Sequence, residues 1–308
     1  MPAKVILNPY SNRWNAQKRW PEAEIALKAA GIEFSLAVSD YPGQAVELGR
    51  QAALDGFSPV IAAGGDGTIG EVVNGLAQAY LEEHMGILGI MPLGTANDLA
   101  YNLGLPLGLM DAAKIIAAGR MRPLDVCKAG DRYFINNSAM GLEPYITKIQ
   151  QEITWVKGIP RYLVAAIQGI LHHPTWQARV EWDDGHYEGP LSLISVGNAP
   201  RTGGLFFMAP HADPSDGKLT AVLAYKKTAL DTLLVLPKTL SPKGTFIYSE
   251  GIREIHTTRI RIELERPSPA HCDGELFPEE VDSLEYVILP GRLNVLVSGE
   301  DMKSSVRN

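Results

Sequence analysis

The sequence predicts a doubly wound α/β domain over residues 1–126, followed by a mostly antiparallel, β-sandwich-like domain over 127–294. Three observations carry that reading. A chain of 308 residues is long for one core when domains run to roughly 150 residues. Up to about residue 125, short and wholly apolar runs alternate with longer helix-like segments, as in strands covered by helices on both faces. Beyond 126 the pattern turns to strand-like runs separated by Asp183-Asp184-Gly185, Asp216-Gly217 and Asp273-Gly274.

In order, the first part reads as a strand at 4–7, a helix at 21–30, a strand at 33–38 and a helix at 45–54. A strand at 59–63, a helix at 69–83 and a strand at 87–91 follow, then helices near Asp98 and at 111–118. Right-handed crossovers make such an order a parallel sheet, and ligands bind at the carboxyl ends of its strands. The second part offers strands at 133–137, 176–182, 186–196, 219–225, 252–256, 259–265 and 286–289. Helical segments interrupt it at 145–153, 162–171 and 229–236. The end of the chain, 295–308, either closes that sheet or returns to the first domain.

Composition excludes several classes. Lys and Arg number 28 against 35 for Asp and Glu, a net charge of −7, so no global positive field draws nucleic acid, and no nucleic-acid partner is expected. Cys127 and Cys272 are too few for a disulfide framework, and no clustered cysteines suggest zinc; a cytoplasmic location is expected. The start of the chain lacks the apolar core of a signal peptide, and runs such as 163–171 are far shorter than the roughly 20 residues that span a bilayer.

Chemistry concentrates after the apolar strands. Gly64-Gly65-Asp66-Gly67-Thr68 joins a strand to a helix; its glycines permit close backbone approach, and the helix N-terminus suits phosphate. An acid beside phosphate calls for a cation, so Asp66 is a candidate for Mg²⁺, with helix capping as its alternative. Pro92-Leu93-Gly94-Thr95-Ala96-Asn97-Asp98 follows the next strand, and Thr95 or Asn97 is either a ligand or a cap. Asn8-Pro9-Tyr10-Ser11-Asn12-Arg13 is a third loop on the same edge. Asp273-Gly274-Glu275 places two carboxylates about a turn glycine, which is also a common hairpin signal.

With these blocks the sequence resembles the bacterial diacylglycerol-kinase-like lipid kinases, related to sphingosine and ceramide kinases. Asn198, Gly203-Gly204, Ala209-Pro210 and Asp216-Gly217-Lys218-Leu219 extend the resemblance along nearly the whole chain. It implies an ATP- and Mg²⁺-dependent transfer of the γ-phosphoryl group to the hydroxyl of diacylglycerol or a similar lipid alcohol, with ATP between the domains. It also implies a Rossmann-like first domain akin to phosphofructokinases and NAD kinases.

Residue by residue, the resemblance places Asn8, Pro9, Tyr10, Ser11, Asn12, Ser39, Gly65, Asp66, Gly67, Thr68, Ile69, Gly70, Glu71, Thr95 and Asn97 at ATP. Arg13 stands where the family carries glycine, and would reach phosphate directly. Asp66, Asp98 and Asp125 match an acidic network for catalytic Mg²⁺, Asp125 being equally readable as an ordinary buried carboxylate. Glu275 is assigned the general base, with Asp273 as its orienting partner or a link to the metal. Asp216 by side chain, and Asp213 and Lys218 by carbonyl, match a structural Mg²⁺ loop whose alternative is a metal-free turn.

At Met140-Gly141-Leu142-Glu143 the chain lacks the family's second glycine and Asp, and no role is assigned to Glu143. Transient contact with the inner membrane face is expected; Trp155, Lys157, Arg161, Tyr162 and 163–171 offer a rim for it, or core packing. Residues 204–208 line an acyl pocket or, by the favoured reading, fill the core. A small-molecule kinase of the NAD kinase type and an inactive nucleotide- or lipid-binding regulator are the rival functions. The oligomeric state is open, a homodimer included.

Overall fold

Strand β1 (Ala3–Leu7) carries Val5, Ile6 and Leu7 straight into the core, and helix and strand then alternate. The computed structural model describes residues 2–12, 14–80, 84–156 and 159–299. The elements that follow are α1 (Asn15–Ala29), β2 (Phe34–Val38), α2 (Gln44–Leu54), β3 (Val60–Gly64), α3 (Asp66–Ala79), β4 (Ile87–Pro92), α4 (Asp98–Asn102) and α5 (Leu109–Ala118). The chain divides into two units, residues 1–126 with 290–308, and residues 127–289.

In the first unit the strands lie in the order β2-β1-β3-β4, all parallel. Every residue of β3 is buried, as expected of a central strand covered on both faces, whereas β2 at the edge leaves Leu36 and Val38 exposed. Leu7 pairs with both Val38 and Ala63, and Gly64 with Pro92, so the loops after these strands leave from one edge. Ala26, Leu27, Ile61, Met91, Leu109 and Ile116 form part of the core; burying each large aliphatic among them contributes about 1.5–3 kcal/mol before entropy is counted.

The second unit takes over within β5 (Met121–Ala129), which turns back on β6 (Arg132–Phe134). It continues with β7 (Asn137–Gly141), α6 (Leu142–Glu152), α7 (Ile159–His172), β8 (Trp176–Trp182), β9 (Gly185–Leu191), β10 (Leu193–Gly197), β11 (Leu219–Ala224) and α8 (Ala229–Val235). The last strands are β12 (Ile252–Thr257), β13 (Arg259–Ser268), β14 (Ala270–Cys272), β15 (Glu275–Leu276) and β16 (Val281–Leu296). One antiparallel sheet runs β12-β11-β10-β7-β14-β15, and the early part of β16 pairs with β13, then β8 and β9. Residues of both sets share a core that includes Phe134, Val180, Val196, Leu219, Ile260 and Tyr286. Strand β8 alternates buried and exposed residues, so one of its faces is solvated. The fold is the parallel α/β and antiparallel sandwich-like pair that the sequence predicts.

Several boundaries differ from the sequence reading. Helix α1 begins at Asn15, with Pro21 inside it, because Ala16, Ala23, Ala26 and Leu27 already give it a buried stripe. Helix α3 begins at Asp66 instead of Ile69, and residues 81–83 of the expected helix lie outside the described residues. The run 133–137 is two strands, since the peptide groups of Ile135 and Asn136 turn toward Asp273. The run 186–196 breaks at Ser192, whose N–H leaves for the Ala224 carbonyl, and β9 and β10 join different sheets. Strand β5 went unread because Pro123 and Asp125 interrupt its apolar pattern. At the chain's end, Asn294 and Val295 pair in parallel with Ile87 and Leu88 of β4, in the first unit; residues 300–308 lie outside the described residues.

Candidate active site

In the first unit the three loops touch. Ser11 Oγ lies 3.1 Å from Thr68 Oγ1, and the Thr95 hydroxyl donates to Asn12 Oδ1 at 2.8 Å. The loops after β3 and β4 meet backbone to backbone: a Cβ on Gly94 would stand 2.3 Å from Gly65 Cα. Only glycine permits that approach. Asn97, left-handed at φ 47°, caps no helix; its Oδ1 accepts the Gly94 N–H at 3.0 Å and its Nδ2 donates to the Gly94 carbonyl at 3.2 Å. Asp66 Oδ1 accepts the N–H of Leu99 at 3.0 Å, so the loop after β3 caps the helix that follows β4.

The other residues of these loops are held by local bonds and burial. Asn8 Oδ1 accepts the Tyr10 N–H in an Asx turn, the Tyr10 hydroxyl donates to the Asp40 carbonyl, and Pro9 is buried. Thr68, Ile69 and Gly70 are buried in the first turns of α3, and Gly65 and Gly67 are half-buried. Two further candidates bond to the backbone of neighbouring elements. The Ser39 hydroxyl is buried, 3.4 Å from the Leu7 carbonyl. The Glu71 carboxylate accepts the N–H groups of Gly43 and Ala45 at 3.2 and 3.1 Å, tying down the start of α2. Arg13 lies outside the described residues.

A phosphate fits this edge. The N-cap of α3 is Gly65, which has no side chain to cap the helix; the first-turn N–H groups have no partners within the helix, and Ser11, Asn12 and Thr95 bring further polar groups. For Mg²⁺, which beside phosphates needs only one or two carboxylates, half-buried Asp66 and buried Asp98 are the acids on these loops. Asp125 is buried, its Oδ1 accepting the Gly291 N–H at 2.8 Å. Among the described residues no three His, Cys, Asp or Glu side chains gather as a metal site.

In the second unit Asp273 and Gly274, at φ 48° and 84°, form the tight turn between β14 and β15, as the hairpin reading has it. The Asp273 carboxylate accepts three backbone N–H groups, from Ile135, Asn136 and Asn137, at 2.9–3.0 Å. It anchors the bend between β6 and β7. Glu275 is exposed, and Arg132 supports its strand by donating to the Leu276 carbonyl at 3.1 Å. In the loop at 213–218, Asp213 Oδ1 accepts from Ser215 N–H and Oγ, Asp216 Oδ1 accepts the Lys218 N–H at 2.9 Å, and the Asp213 carbonyl accepts the Asp216 N–H at 3.3 Å. The Asp213 carbonyl and the Asp216 carboxylate, both assigned to a metal by the resemblance, thus also close the turn.

The sequence reading missed a buried network behind the hairpin. The Gly274 N–H points at His271 Nδ1, 3.4 Å away, which leaves the ring proton on Nε2 to be donated to Glu143 Oε1 at 3.2 Å. Asn137 Nδ2 also donates to Glu143 Oε1 at 2.9 Å, and Thr202 Oγ1 donates to Asn137 Oδ1. Glu143 Oε2 is buried with no hydrogen-bond partner among the described residues. The Glu143 residue lines a cavity of about 100 Å³ whose walls include Ile146, Tyr162, Ile170, Phe206 and Met208. Phe206 and Met208 therefore line open space instead of only filling the core. An acid directly after a strand and a glycine, in Gly141-Leu142-Glu143, was the available signal.

Comparison with known proteins accords with both units. The family described as "Diacylglycerol kinase catalytic domain" matches residues 2–129, and "YegS C-terminal NAD kinase beta sandwich-like domain" matches residues 137–297. A diacylglycerol kinase of Bacillus subtilis is 28% identical over 296 residues, covering 94% of this chain and 96% of its own. One of Staphylococcus epidermidis is 33% identical over 277 residues, covering 89% and 85%. The crystal structure of a diacylglycerol kinase from Bacillus anthracis shares the fold, with a TM-score of 0.78 and 24% identity over 97% of each chain. Matched in chain order through both units, this chain belongs to the family of diacylglycerol kinases and their YegS-like relatives.

Proposed function

We propose that the protein phosphorylates the hydroxyl of diacylglycerol or a similar lipid alcohol, using ATP and Mg²⁺. The observation that carries the nucleotide half is the meeting of three loops at one sheet edge, with Gly65, the N-cap of α3, against Gly94. The main-chain N–H groups of Gly67 and Thr68, with Ser11, Asn12 and Thr95, would hold the phosphates. Asp66, supported by Asp98, would hold Mg²⁺, which when bound offsets the charge that develops on the phosphoryl oxygens. Ser39 and Glu71 act one layer behind, Ser39 against β1 and Glu71 on α2.

The cavity bordered by Glu143 supports the lipid half of the reading. Its walls suit an alkyl chain, and the unpartnered Glu143 Oε2 is a ready acceptor for a hydroxyl on that chain. His271 and Asn137 keep the carboxylate oriented. Glu275, exposed beyond the Asp273 turn, is the base that takes the proton of the attacking hydroxyl, and Asp273 positions it by holding the turn. An NAD-type acceptor finds little to recognise in walls so apolar. The test is Glu275→Gln beside Asp66→Asn. The first should lose transfer while binding ATP as the parent does, and the second should lose both. Parental transfer by Glu275→Gln would contradict the assignment.

A further inference from the structure

Helix α8 stands between the cavity and solvent. On one side Thr232, Val235 and the following Leu236 line the cavity. On the other, Leu230 and Leu234 are 64% and 65% exposed, and no residue of α8 is fully buried. These leucines are four residues apart and so share a face. Leu240 and, at 79%, Tyr248 are also exposed, on the two 3-10 turns that follow, Leu236–Leu240 and Thr245–Tyr248.

Charge frames this surface. Exposed Lys227 precedes Thr228, the N-cap of α8, and exposed Lys238 lies on the first 3-10 turn after the helix. Lys226, Lys227 and Lys238 line one cleft with Leu234. Residues 226–250 hold Lys226, Lys227, Lys238 and Lys243 against Asp231 and Glu250, in a chain whose net charge is −7. Asp231, which lines that cleft together with Glu250, accepts the N–H and hydroxyl of Thr228 in a capping box. Helix α7 and the residues before it, where the sequence reading placed a membrane rim, expose Trp155, Ile167 and Leu171, and Arg161 there donates to the Gln150 carbonyl; Lys157 lies outside the described residues.

We propose that α8 and the two turns after it dock the second unit on an anionic bilayer. Leu230, Leu234, Leu240 and Tyr248 enter the boundary between headgroups and chains, and Lys227, Lys238 and Lys243 meet lipid phosphates. Exposed leucines and a tyrosine in a segment with four lysines and two acids complement such a surface in both polarity and charge. The inference deepens the lipid-alcohol reading and rests on it for its purpose, but the binding itself requires no phosphoryl transfer.

Co-sedimentation of the full chain, without ATP, tests it on vesicles of equal parts phosphatidylglycerol and phosphatidylcholine and on phosphatidylcholine alone. The parent should bind the mixed vesicles, and less so as NaCl is raised. Leu230→Ser with Leu234→Ser should weaken binding by about tenfold or more. Lys227→Gln with Lys238→Gln should weaken it by about fivefold per lysine on the anionic vesicles only. Ile167→Ser with Leu171→Ser should bind as the parent does. All these side chains are exposed, so the melting temperature should hold; as a second readout, Leu234→Trp should gain fluorescence quenching by brominated acyl chains beyond that of the parent. Parental binding by the leucine pair, no binding by the parent, loss with the α7 pair instead, or a dimer broken by the leucine pair without any vesicle binding would each overturn the proposal. Vesicle binding lost with the leucine pair in a protein that phosphorylates no lipid would leave the docking standing and remove the kinase reading; lipid phosphorylation without vesicle binding would do the reverse.

Discussion

Gly94→Ala is the sharpest probe of the nucleotide edge. The added Cβ would lie 2.3 Å from Gly65 Cα, 2.7 Å from Asn97 Oδ1 and 3.2 Å from Gly65 N. Carbon atoms rest at about 3.5–4.0 Å, so the two loops must part by more than about 1 Å. The nearest obstacle is backbone, and no rotamer change relieves it. Overpacking of this kind costs about 1–3 kcal/mol, or about 2–4 °C of melting temperature per kcal/mol for a domain of roughly 150–250 residues. The functional loss should be larger, since a misplacement of about 1 Å can lower a rate about a hundredfold. Calorimetric titration with ATP and steady-state transfer read the two effects separately. Gly108→Ala is the control: its Cβ would find nothing nearer than Asp111 Oδ2 at 3.7 Å, and its φ is an ordinary −74°. If Gly94→Ala bound ATP and transferred phosphate like the parent, the touching loops would not be the nucleotide site.

Glu143→Gln should lower kcat/KM for the lipid by about 10–100-fold, the worth of one hydrogen bond to a charged group, while the melting temperature holds or rises because a buried carboxylate is gone. A fall in stability with unchanged kcat/KM would make Glu143 purely structural. Asp216→Ala should melt lower by a few degrees, and added Mg²⁺ should raise the melting temperature of the parent but not of the variant; equal melting and equal activity would remove the structural-metal loop. Burial pushes the Cys272 thiol up from 9.0 to about 12, so folding favours the protonated form. That contribution to stability is whole below 9.0 and is lost as pH rises toward about 12. With Cys127 also buried, a thiol reagent at about pH 8 should label neither cysteine until the protein is unfolded; rapid labelling of the native chain would contradict this.

What could be read from the sequence followed the backbone's own requirements. Gly64-Gly65-Asp66-Gly67-Thr68 and Leu93-Gly94 announced loops after buried strands, and parallel pairing of β1, β3 and β4 sets those loops on one edge. The partners of the polar side chains were not legible. Asp66 caps a helix that begins 32 residues later, Glu71 holds the start of α2, and Asp273 gathers N–H groups from a bend far upstream. Such pairings depend on which loops the sheet brings together, and no spacing records them. Glu143 was passed over for the same reason: its significance lies in His271 and Asn137 on either side and in the cavity beyond, contributed by distant segments. The exposed leucines of α8 looked like any amphipathic stretch until their burial was known.

The central claim is tested most directly by following labelled γ-phosphate from Mg-ATP into a panel of acceptors, with diacylglycerols, sphingoid bases and phosphatidylglycerol in mixed micelles and NAD in parallel. The account predicts a phosphorylated lipid alcohol from the parent, none from Glu275→Gln, and no phosphorylated NAD. Label in NAD alone, or ATP bound with no lipid labelled, would contradict it.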